Sequence, residues 1–412
     1  MYGQIPIAVF YLANMKHKFP LIKFGLLIAG VLPFITILKG QSWSEKADIS
    51  GNGRNSPAHF VIDSKVYVVG GVNAGSYMKD VWQYDPQKNQ WSQKNDFPGA
   101  GRAEAVAFVI GRNAYVGLGL SPGKYYKDFY RYNPGDDSWS KVADFPEERT
   151  AAASFVIDTL AYLYGGARFQ ANPNNNFYQY SPTRDTWTLR KAYPGTAKAY
   201  SASASLNGLG YIIGGFWAGT HYDEVHAYNP ATDTWSEKAD YAGMGRVAAA
   251  SFVLDGKIYV GNGRNSTTFL KDWWAFDPTT GTWSETTQYP GSATYGSAGF
   301  TIGNKGYCGL GYNGTATSRK IYEFSLPTLS KDEISSADQV MSCYQVSGTN
   351  RIILQAFSQA PHYSLTDMNG RTIVASTAAE APTFIELPTL STGVYLLHIE
   401  HPLKPMVVKV YL

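Results

Sequence analysis

The sequence predicts an all-β protein: a six-bladed β-propeller closed by an N-terminal fourth strand, followed by a C-terminal β-sandwich domain. Three sets of landmarks recur about every 48 residues and predict the propeller. A fixed period of this length is typical of stacked units that cannot bury their apolar faces alone. The first set consists of tryptophans, each followed by Ser or Thr: Trp43, Trp91, Trp139, Trp187, Trp235 and Trp283.

A glycine that ends an apolar run forms the second set. Its members are Gly71, Gly119, Gly166, Gly215, Gly263 and Gly311, and only the third is displaced, by one residue. The third set is an aromatic residue before a turn, as in Tyr84-Asp85-Pro86. Because an Asx-Pro pair initiates turns, a strand is expected to end at each such site.

Each period is expected to hold four short strands separated by turn residues. In the first copy we predict them at residues 59–63, 65–70, 80–84 and 90–94. The first strand of later copies is made of very small residues, as at 151–154, which indicates a close approach of neighbouring backbones. We therefore expect the first strand at the central axis and the Trp on the outer, fourth strand.

The two ends of the repeat predict how the ring closes. One period after Trp283 stands Lys331, in a loop-like segment, whereas Trp43 has no three strands before it. Residues 41–46 are therefore predicted to be the fourth strand of blade six. A ring closed in this way leaves no free sheet edge.

These landmarks resemble kelch repeats over residues 42–326. The resemblance implies a six-bladed propeller, which we place at residues 41–328. Binding sites on such a scaffold are expected on the loops that gather at one end of the central channel.

Residues 1–40 are predicted to be a secretory signal peptide, with Met15 as an alternative start. Lys16-His17-Lys18 is basic, residues 24–38 are apolar, and Gly40 precedes the expected cleavage. A retained membrane anchor is the alternative interpretation. With cleavage, the mature chain is expected to have no transmembrane span.

The charge of the mature chain limits its partners. Removal of the four lysines in residues 1–40 leaves 31 Lys and Arg against 32 Asp and Glu, a net charge of −1. This near-neutral composition gives no reason to expect nucleic acid or an anionic membrane as partner. Cys308 and Cys343 are expected to be separate thiols, and the protein is expected to be a monomer.

Residues 329–412 break the period and contain seven short strand patterns, which predict a small β-sandwich. Six of their residues resemble the C-terminal sorting domain of the bacterial type IX secretion system (type A): Asp367, Gly370, Arg371, Gly393, Tyr395 and Lys409. The resemblance implies that secretion machinery as a partner, and a secreted or outer-membrane cell-surface location. An ordinary accessory sandwich is the alternative.

A column of cations precedes the first strand of the copies: Arg54, Arg102, Arg149, Lys198 and Arg246. Two interpretations remain open for it. The planar fork of Arg suits carboxylates and phosphates, so the column could bind an anionic ligand. Alternatively, the column could hydrogen-bond loop carbonyls, with the nearby acids Glu104, Glu147 and Glu148 neutralising its charge.

The loops after the glycines supply the second group of candidate ligand-binding residues. They are rich in aromatic and polar side chains: Tyr77, Tyr125, Trp217, Tyr222 and Arg264. Aromatic faces with polar neighbours suit sugar rings, which stack through their C–H faces while their hydroxyls need partners. The alternative is that these aromatics only cover the tops of the blades.

Metal and cofactor chemistry have little support in the sequence. His221 and His226 have no third convergent ligand, and no P-loop, nucleophile elbow or dinucleotide fingerprint is present. Galactose-oxidase-type copper chemistry needs a Cys-modified Tyr beside two histidines, and no pair of histidines stands near Cys308 in the sequence. We therefore expect neither metal nor cofactor.

Two functions remain. The first is a non-enzymatic binding module for a glycan or a protein. The second follows from the kelch resemblance, because bacterial six-bladed kelch proteins include sialic-acid mutarotases (N-acetylneuraminate epimerases). Such an enzyme needs an acid or base near the anomeric oxygen, for which Glu104, Glu148 and Glu224 are candidates.

Overall fold

The computed structural model describes residues 41–168, 171–326, 342–345, 351–355, 362–367, 371–377, 384–386, 394–400 and 406–411. The predicted signal peptide at residues 1–40 lies outside this part of the chain. Residues 41–326 form six four-stranded antiparallel sheets arranged as the blades of a propeller. The predicted six-bladed architecture is therefore confirmed.

The strands of the first three blades begin after β1 (Ser42–Glu45). Blade one contains β2 (Ala58–Ile62), β3 (Lys65–Asn73), β4 (Ser76–Asp85) and β5 (Gln90–Lys94). Blade two contains β6 (Val106–Ile110), β7 (Asn113–Gly117), β10 (Phe129–Asn133) and β11 (Ser138–Val142), with a small ribbon of β8 (Leu120–Ser121) and β9 (Lys124–Tyr125) above it. Blade three contains β12 (Ala153–Ile157), β13 (Leu160–Tyr164), β14 (Phe177–Ser181) and β15 (Thr186–Leu189).

The other three blades repeat this plan. Blade four contains β16 (Ala202–Leu206), β17 (Leu209–Trp217), β18 (Thr220–Asn229) and β19 (Thr234–Lys238). Blade five contains β20 (Ala250–Leu254), β21 (Lys257–Gly261), β24 (Trp273–Asp277) and β25 (Thr282–Glu285), with a ribbon of β22 (Arg264–Asn265) and β23 (Thr268–Phe269). Blade six contains β26 (Ala298–Ile302), β27 (Lys305–Gly309) and β28 (Ile321–Ser325), and its fourth strand is β1.

The pairing of β1 with β28 confirms the predicted closure. The two strands are antiparallel, with Trp43 opposite Phe324. The indole of Trp43 lies 5.0 Å from the ring of Phe324 and 5.3 Å from that of Trp273, between centroids. Arg319 adds two hydrogen bonds to the carbonyl oxygen of Ile49, at 3.0 and 2.8 Å. The N-terminal strand is thus fixed to the last blade by backbone pairing and by aromatic packing.

The repeated Trp also links each blade to the one before it. In blades one to five, its indole N–H donates to a carbonyl 44 residues earlier, as from Trp91 to Ala47 at 2.8 Å and from Trp283 to Ala239 at 3.0 Å. Trp43 makes the equivalent bond to Thr287 at 3.3 Å. The 48-residue period therefore records a contact between blades as well as a position within one.

The small residues of the first strands are explained by close packing at the axis. A Cβ atom added to Gly299 would lie 2.7 Å from the carbonyl oxygen of Ser251 on the neighbouring first strand. The hydroxyl of Ser251 in turn donates to the carbonyl of Ser203, at 2.9 Å. Small side chains are thus required here, as the sequence predicted.

The described strands beyond the propeller pair in two sheets. The first contains β29 (Ser342–Gln345), β30 (Arg351–Gln355) and β33 (Phe384–Glu386), in that order. The second has the order β32 (Thr372–Thr377), β31 (His362–Asp367), β34 (Val394–Glu400), β35 (Met406–Tyr411). Arg371 contacts Asp367 through its backbone N–H at 3.0 Å and its guanidinium at 3.4 Å, so these two motif residues hold the end of β31 beside the start of β32. Packing of the two sheets as a sandwich stays a prediction.

Candidate functional site

A closed ring of backbone hydrogen bonds surrounds the axis at one end of the channel. Each blade contributes one residue just before its first strand, with a left-handed backbone (φ 49–65°): Ser56, Glu104, Ala151, Tyr200, Ala248 and Gly296. The N–H of each donates to the carbonyl of the preceding one, at 2.8–3.3 Å, and that of Ser56 donates to Gly296. This arrangement, called the axial ring below, needs six closed blades and has no counterpart in any single repeat.

The axial ring forms the floor of a cup. The wall consists of the segments around the connection from the second to the third strand, including residues 72–77, 120–126, 216–222, 264–269 and 312–317. Each segment is held beside the ring by an antiparallel bridge to the residue preceding the ring residue, as between Asn55 and Val72. Directly below the ring, the first strands enclose a cavity of about 240 Å³ lined mainly by Ala, Ser and Gly. These segments therefore stand around a common floor of backbone hydrogen bonds.

Glu104 is the carboxylic acid of the axial ring, and it is partly buried. Its carboxylate accepts a hydrogen bond from the Thr150 hydroxyl at 2.8 Å and from the Tyr200 hydroxyl at 3.1 Å. Tyr200 reaches it from two blades away, past the methyl group of Ala151. Burial raises the pKa of Glu104, and the two hydrogen bonds offset part of that rise. None of the described cations forms an ion pair with it.

Phenol groups surround Glu104. The pKa values of Tyr77 and Tyr125 are raised, first by burial and then by the nearby charge of Glu104. The pKa of Tyr200 is raised by burial and by Glu104, with smaller effects from Tyr125 and Tyr295. Two predicted ligand-binding residues, Tyr77 and Tyr125, thus lie near a carboxyl group whose pKa is raised by burial.

Arg264 lies on the opposite side of the cup. It pairs with Val247, next to ring residue Ala248, three positions from Glu104 in the ring of six. The guanidinium carbon lies 5.1 Å from the centroid of the Tyr295 ring and 6.0 Å from that of Phe269. None of the described carboxylates forms an ion pair with Arg264, and its buried Nε–H has no acceptor.

The five column cations do not face the cup as free charges. All five side chains are almost completely buried: Arg54, Arg102, Arg149, Lys198 and Arg246. Arg246 shows the common pattern, with bonds of 2.9 and 2.7 Å to the two oxygens of Asp272 and one of 2.9 Å to the carbonyl of Asn262. Arg54 and Arg102 pair in the same way with Asp80 and Asp128. Of the two interpretations of this column, the contacts favour the structural one.

The other blades keep this arrangement with different residues. Lys198 pairs with the longer acid Glu224, which compensates for the shorter reach of an ammonium group. Arg149 bonds Asn174 at 2.6 Å and Glu147 at 3.2 Å. Four of the acids stand 26 residues after their cation, namely Asp80, Asp128, Glu224 and Asp272. That second column in the sequence identifies the cations as paired.

The remaining predicted residues, Trp217 and Tyr222, lie in the wall segment of blade four. Trp217 is partly buried at the tip of the hairpin between β17 and β18, opposite Thr220. The Tyr222 ring centroid lies 5.2 Å from the Lys198 ammonium, so part of its role is to cover that cation. Among the acids proposed for catalysis, Glu224 is neutralised by Lys198, and Glu148 is exposed.

Neither metal nor thiol chemistry gains support within the described residues. No group of three or more His, Cys, Asp or Glu side chains there could hold a metal ion. Nε2 of His221 accepts a bond from the Ser266 backbone, whereas Nδ1 of His226 contacts the Tyr193 hydroxyl, so the two imidazoles have separate partners. Cys308 is a free, buried thiol whose pKa is raised by burial.

The raised pKa of Glu104 predicts a specific pH dependence of stability. Because the folded state holds this proton more tightly, the contribution is fully present below the unfolded pKa of 4.5 and is lost as the pH rises through the folded pKa. Relative to Glu104→Gln, the wild type should therefore lose free energy of unfolding over that range. Chemical denaturation from pH 4 to pH 8 measures this. Glu148→Gln, at an exposed carboxylate, is the control, and a flat difference for Glu104→Gln would contradict the assignment.

Within the part of the chain that the structure describes, no helix is long and apolar enough to cross a bilayer. A family model described as the Attractin/LZTR1 β-propeller matches residues 35–268, more than half of the chain. A solved structure titled "Structure of YjhT" is 15% identical, with a TM-score of 0.55 over 72% of this chain and 97% of that chain, so the two share a fold. No curated protein matches the sequence.

Proposed function

We propose that this chain, which belongs to the Attractin/LZTR1 β-propeller family, is a binding module whose axial cup holds a glycan. The observation that carries this proposal is the group of phenols around Glu104. Tyr77, Tyr125 and Tyr200 offer ring faces for the C–H surface of a sugar. Their hydroxyls and the carboxyl group of Glu104 offer donors and acceptors to sugar hydroxyls, which must be satisfied when they are buried.

The cup also suits a binding module because its floor is fixed before any ligand arrives. Six backbone hydrogen bonds set the ring, and Tyr200 is held in place by its bond to Glu104. A site that is already ordered loses less conformational entropy on binding than a flexible loop does. Each sugar hydroxyl exchanges hydrogen bonds to water for bonds to the protein and so gains little net free energy, and this preorganisation therefore contributes to affinity.

The proposal includes export of the protein to the cell surface or the medium. The sequence signature of a signal peptide at residues 1–40 supports it, as does the resemblance of residues 329–412 to a type IX sorting domain. In this scheme that β-sandwich contacts the secretion machinery, and the propeller contacts the ligand. A propeller outside the cell would meet extracellular glycans directly.

A glycan array probed with the exported chain, residues 41–412, tests the proposed function. The wild type should bind a defined subset of glycans, and Tyr125→Ala should lose about tenfold or more of that affinity, since a stacked aromatic contributes on the order of 1–3 kcal/mol. Tyr130→Ala, on the outer part of the same blade, is the matched control. Absence of binding to every glycan, together with capture of a protein partner, would overturn the glycan proposal.

A sugar mutarotase is the second candidate, favoured by the raised pKa of Glu104 beside Tyr200. Ring opening moves the proton of the anomeric hydroxyl to a base while the ring oxygen receives one from an acid, and ring closure reverses both transfers. A carboxyl group whose pKa is raised by burial keeps its proton to a higher pH and can serve as either partner. One-dimensional NMR of freshly dissolved N-acetylneuraminate would show faster anomer exchange with the wild type than with Glu104→Gln; equal rates would exclude Glu104 from such chemistry.

A further inference from the structure

We infer that Arg264 is an anion subsite of the cup, which selects glycans whose bound sugar carries a carboxylate. The inference rests on the proposed function, because it describes the ligand of the same cup. In this assignment a single residue in the wall binds the anion, and the buried column of cations does not. Two observations support it: the unpaired state of Arg264 and the aromatic platform beneath it.

The unpaired state distinguishes Arg264 from the arginines of the column. Arg246, its neighbour before β20, places two nitrogens on the carboxylate of Asp272 and a third on the Met244 carbonyl. In contrast, Arg264 makes no ion pair with any described carboxylate, and its buried Nε–H, like that of Arg149, has no acceptor. A buried donor without a partner costs free energy in the free protein, and a ligand oxygen placed there would recover it.

The platform orients the guanidinium. Tyr295 and Phe269 lie beside it at 5.1 and 6.0 Å, and Tyr295 is in turn perpendicular to Tyr312, with centroids 6.1 Å apart. Stacking on ring faces leaves the edge of the guanidinium, which carries its donors, directed away from the rings. That edge can form two parallel bonds to a carboxylate.

None of the described acids forms an ion pair with this guanidinium. The pKa of the neighbouring His221 is lowered by burial and by the positive charge of Arg264. His221 accepts a hydrogen bond from the Ser266 backbone at Nε2, which fits its neutral form. The positive charge at this side of the cup is therefore Arg264 itself.

The opposite side of the cup explains why the anionic group should be on a sugar. Glu104 and its phenols face Arg264 across the axial ring and offer contacts to neutral hydroxyls, whereas an ionised Glu104 would repel a second carboxylate. A ligand with its carboxylate at one end and hydroxyls at the other matches both sides. A uniformly anionic peptide would match only one.

A matched pair of probes isolates the carboxylate. Methyl β-glucuronide and methyl β-glucoside differ only in having a carboxylate or a hydroxymethyl group at C5, and an array printed with glycans that end in either sugar extends the comparison. The wild type should bind acidic members at least about tenfold more tightly than their neutral partners. Arg264→Gln should remove this preference and leave the affinity for neutral members unchanged.

Two further variants guard against a merely structural effect. Arg264→Lys keeps the charge but not the planar fork, so it should retain only part of the preference. Lys124→Gln removes an equal charge from another hairpin of the wall, where the ammonium lies 5.1 Å from the Tyr126 ring centroid, and should leave the preference intact. Thermal unfolding of each variant verifies that it folds.

The outcomes separate the two proposals. If neutral and acidic glycans bind equally to the wild type and to Arg264→Gln, the anion subsite is wrong and the glycan-binding function stands. If Lys124→Gln loses the preference as Arg264→Gln does, the charge of the wall acts as a whole and the specific subsite is overturned. If no sugar of either kind binds, the glycan function fails, and the subsite fails with it.

Discussion

Trp43→Ala is expected to lower the free energy of unfolding by about 3 kcal/mol, and deletion of residues 41–47 by on the order of 5 kcal/mol or more. Trp43 packs against Phe324 and Trp273, and β1 supplies the fourth strand of the last blade. Removal of β1 leaves β28 as an unpaired sheet edge, so the protein that lacks residues 41–47 should also tend to aggregate. Calorimetry and size-exclusion chromatography measure the two effects.

The control for this prediction lies on the same strand. Glu45 pairs with Lys320 at the exposed side of β1, so Glu45→Gln should change the melting temperature little. An unchanged thermal transition after deletion of residues 41–47 would contradict closure of the ring by β1.

Asp272→Asn is expected to destabilise the propeller by about 3–5 kcal/mol, because it leaves the buried guanidinium of Arg246 without its counter-charge. The same change would have a different result if the column bound anionic ligands. Arg246 would then be freed, and acidic ligands would bind more tightly at little cost in stability. Urea denaturation together with a titration of an acidic glycan distinguishes the two results.

The matched control is an ion pair on the surface. Asp63 pairs with Arg112 at 2.8 Å, and more than half of each side chain is exposed. Asp63→Asn should therefore change stability little. Equal effects of Asp63→Asn and Asp272→Asn would show that burial of the column cations does not matter.

Much of the scaffold could be predicted from the sequence because each blade repeats the same local solution. The period gave the number of blades, and the unequal position of Trp43 indicated the closing strand. The runs of very small residues indicated the axis, where Gly299 has no room for a Cβ atom. These features depend on contacts that recur with the period.

The role of the column cations was harder to predict, because four of the acidic partners stand 26 residues away, on or just before the third strand of the blade. Among the nearby acids Glu104, Glu147 and Glu148, only Glu147 contacts a column cation, Arg149, whereas Arg102 pairs with the more distant Asp128. The aligned acids were visible as a second column in the sequence. Pairing the two columns would have predicted a structural role for the cations.

The centre of the candidate site could not be predicted from one repeat. Glu104 was one of three acids considered, and it became distinct only because Tyr200 reaches it from 96 residues away. That contact joins blades two and four, and Ala151 lies between the two positions in the axial ring. Arg264 was selected with the loop aromatics, and only its lack of a carboxylate partner separates it from the column.

Amide hydrogen exchange, measured with and without a glycan identified on the array, tests directly whether the axial cup is the ligand site. Bound glycan should slow exchange in residues 72–77, 120–126 and 264–269. Exchange should not change in the turns at the other end of the blades, such as 86–89 and 134–137. Protection confined to those turns or to the outer strands would contradict it.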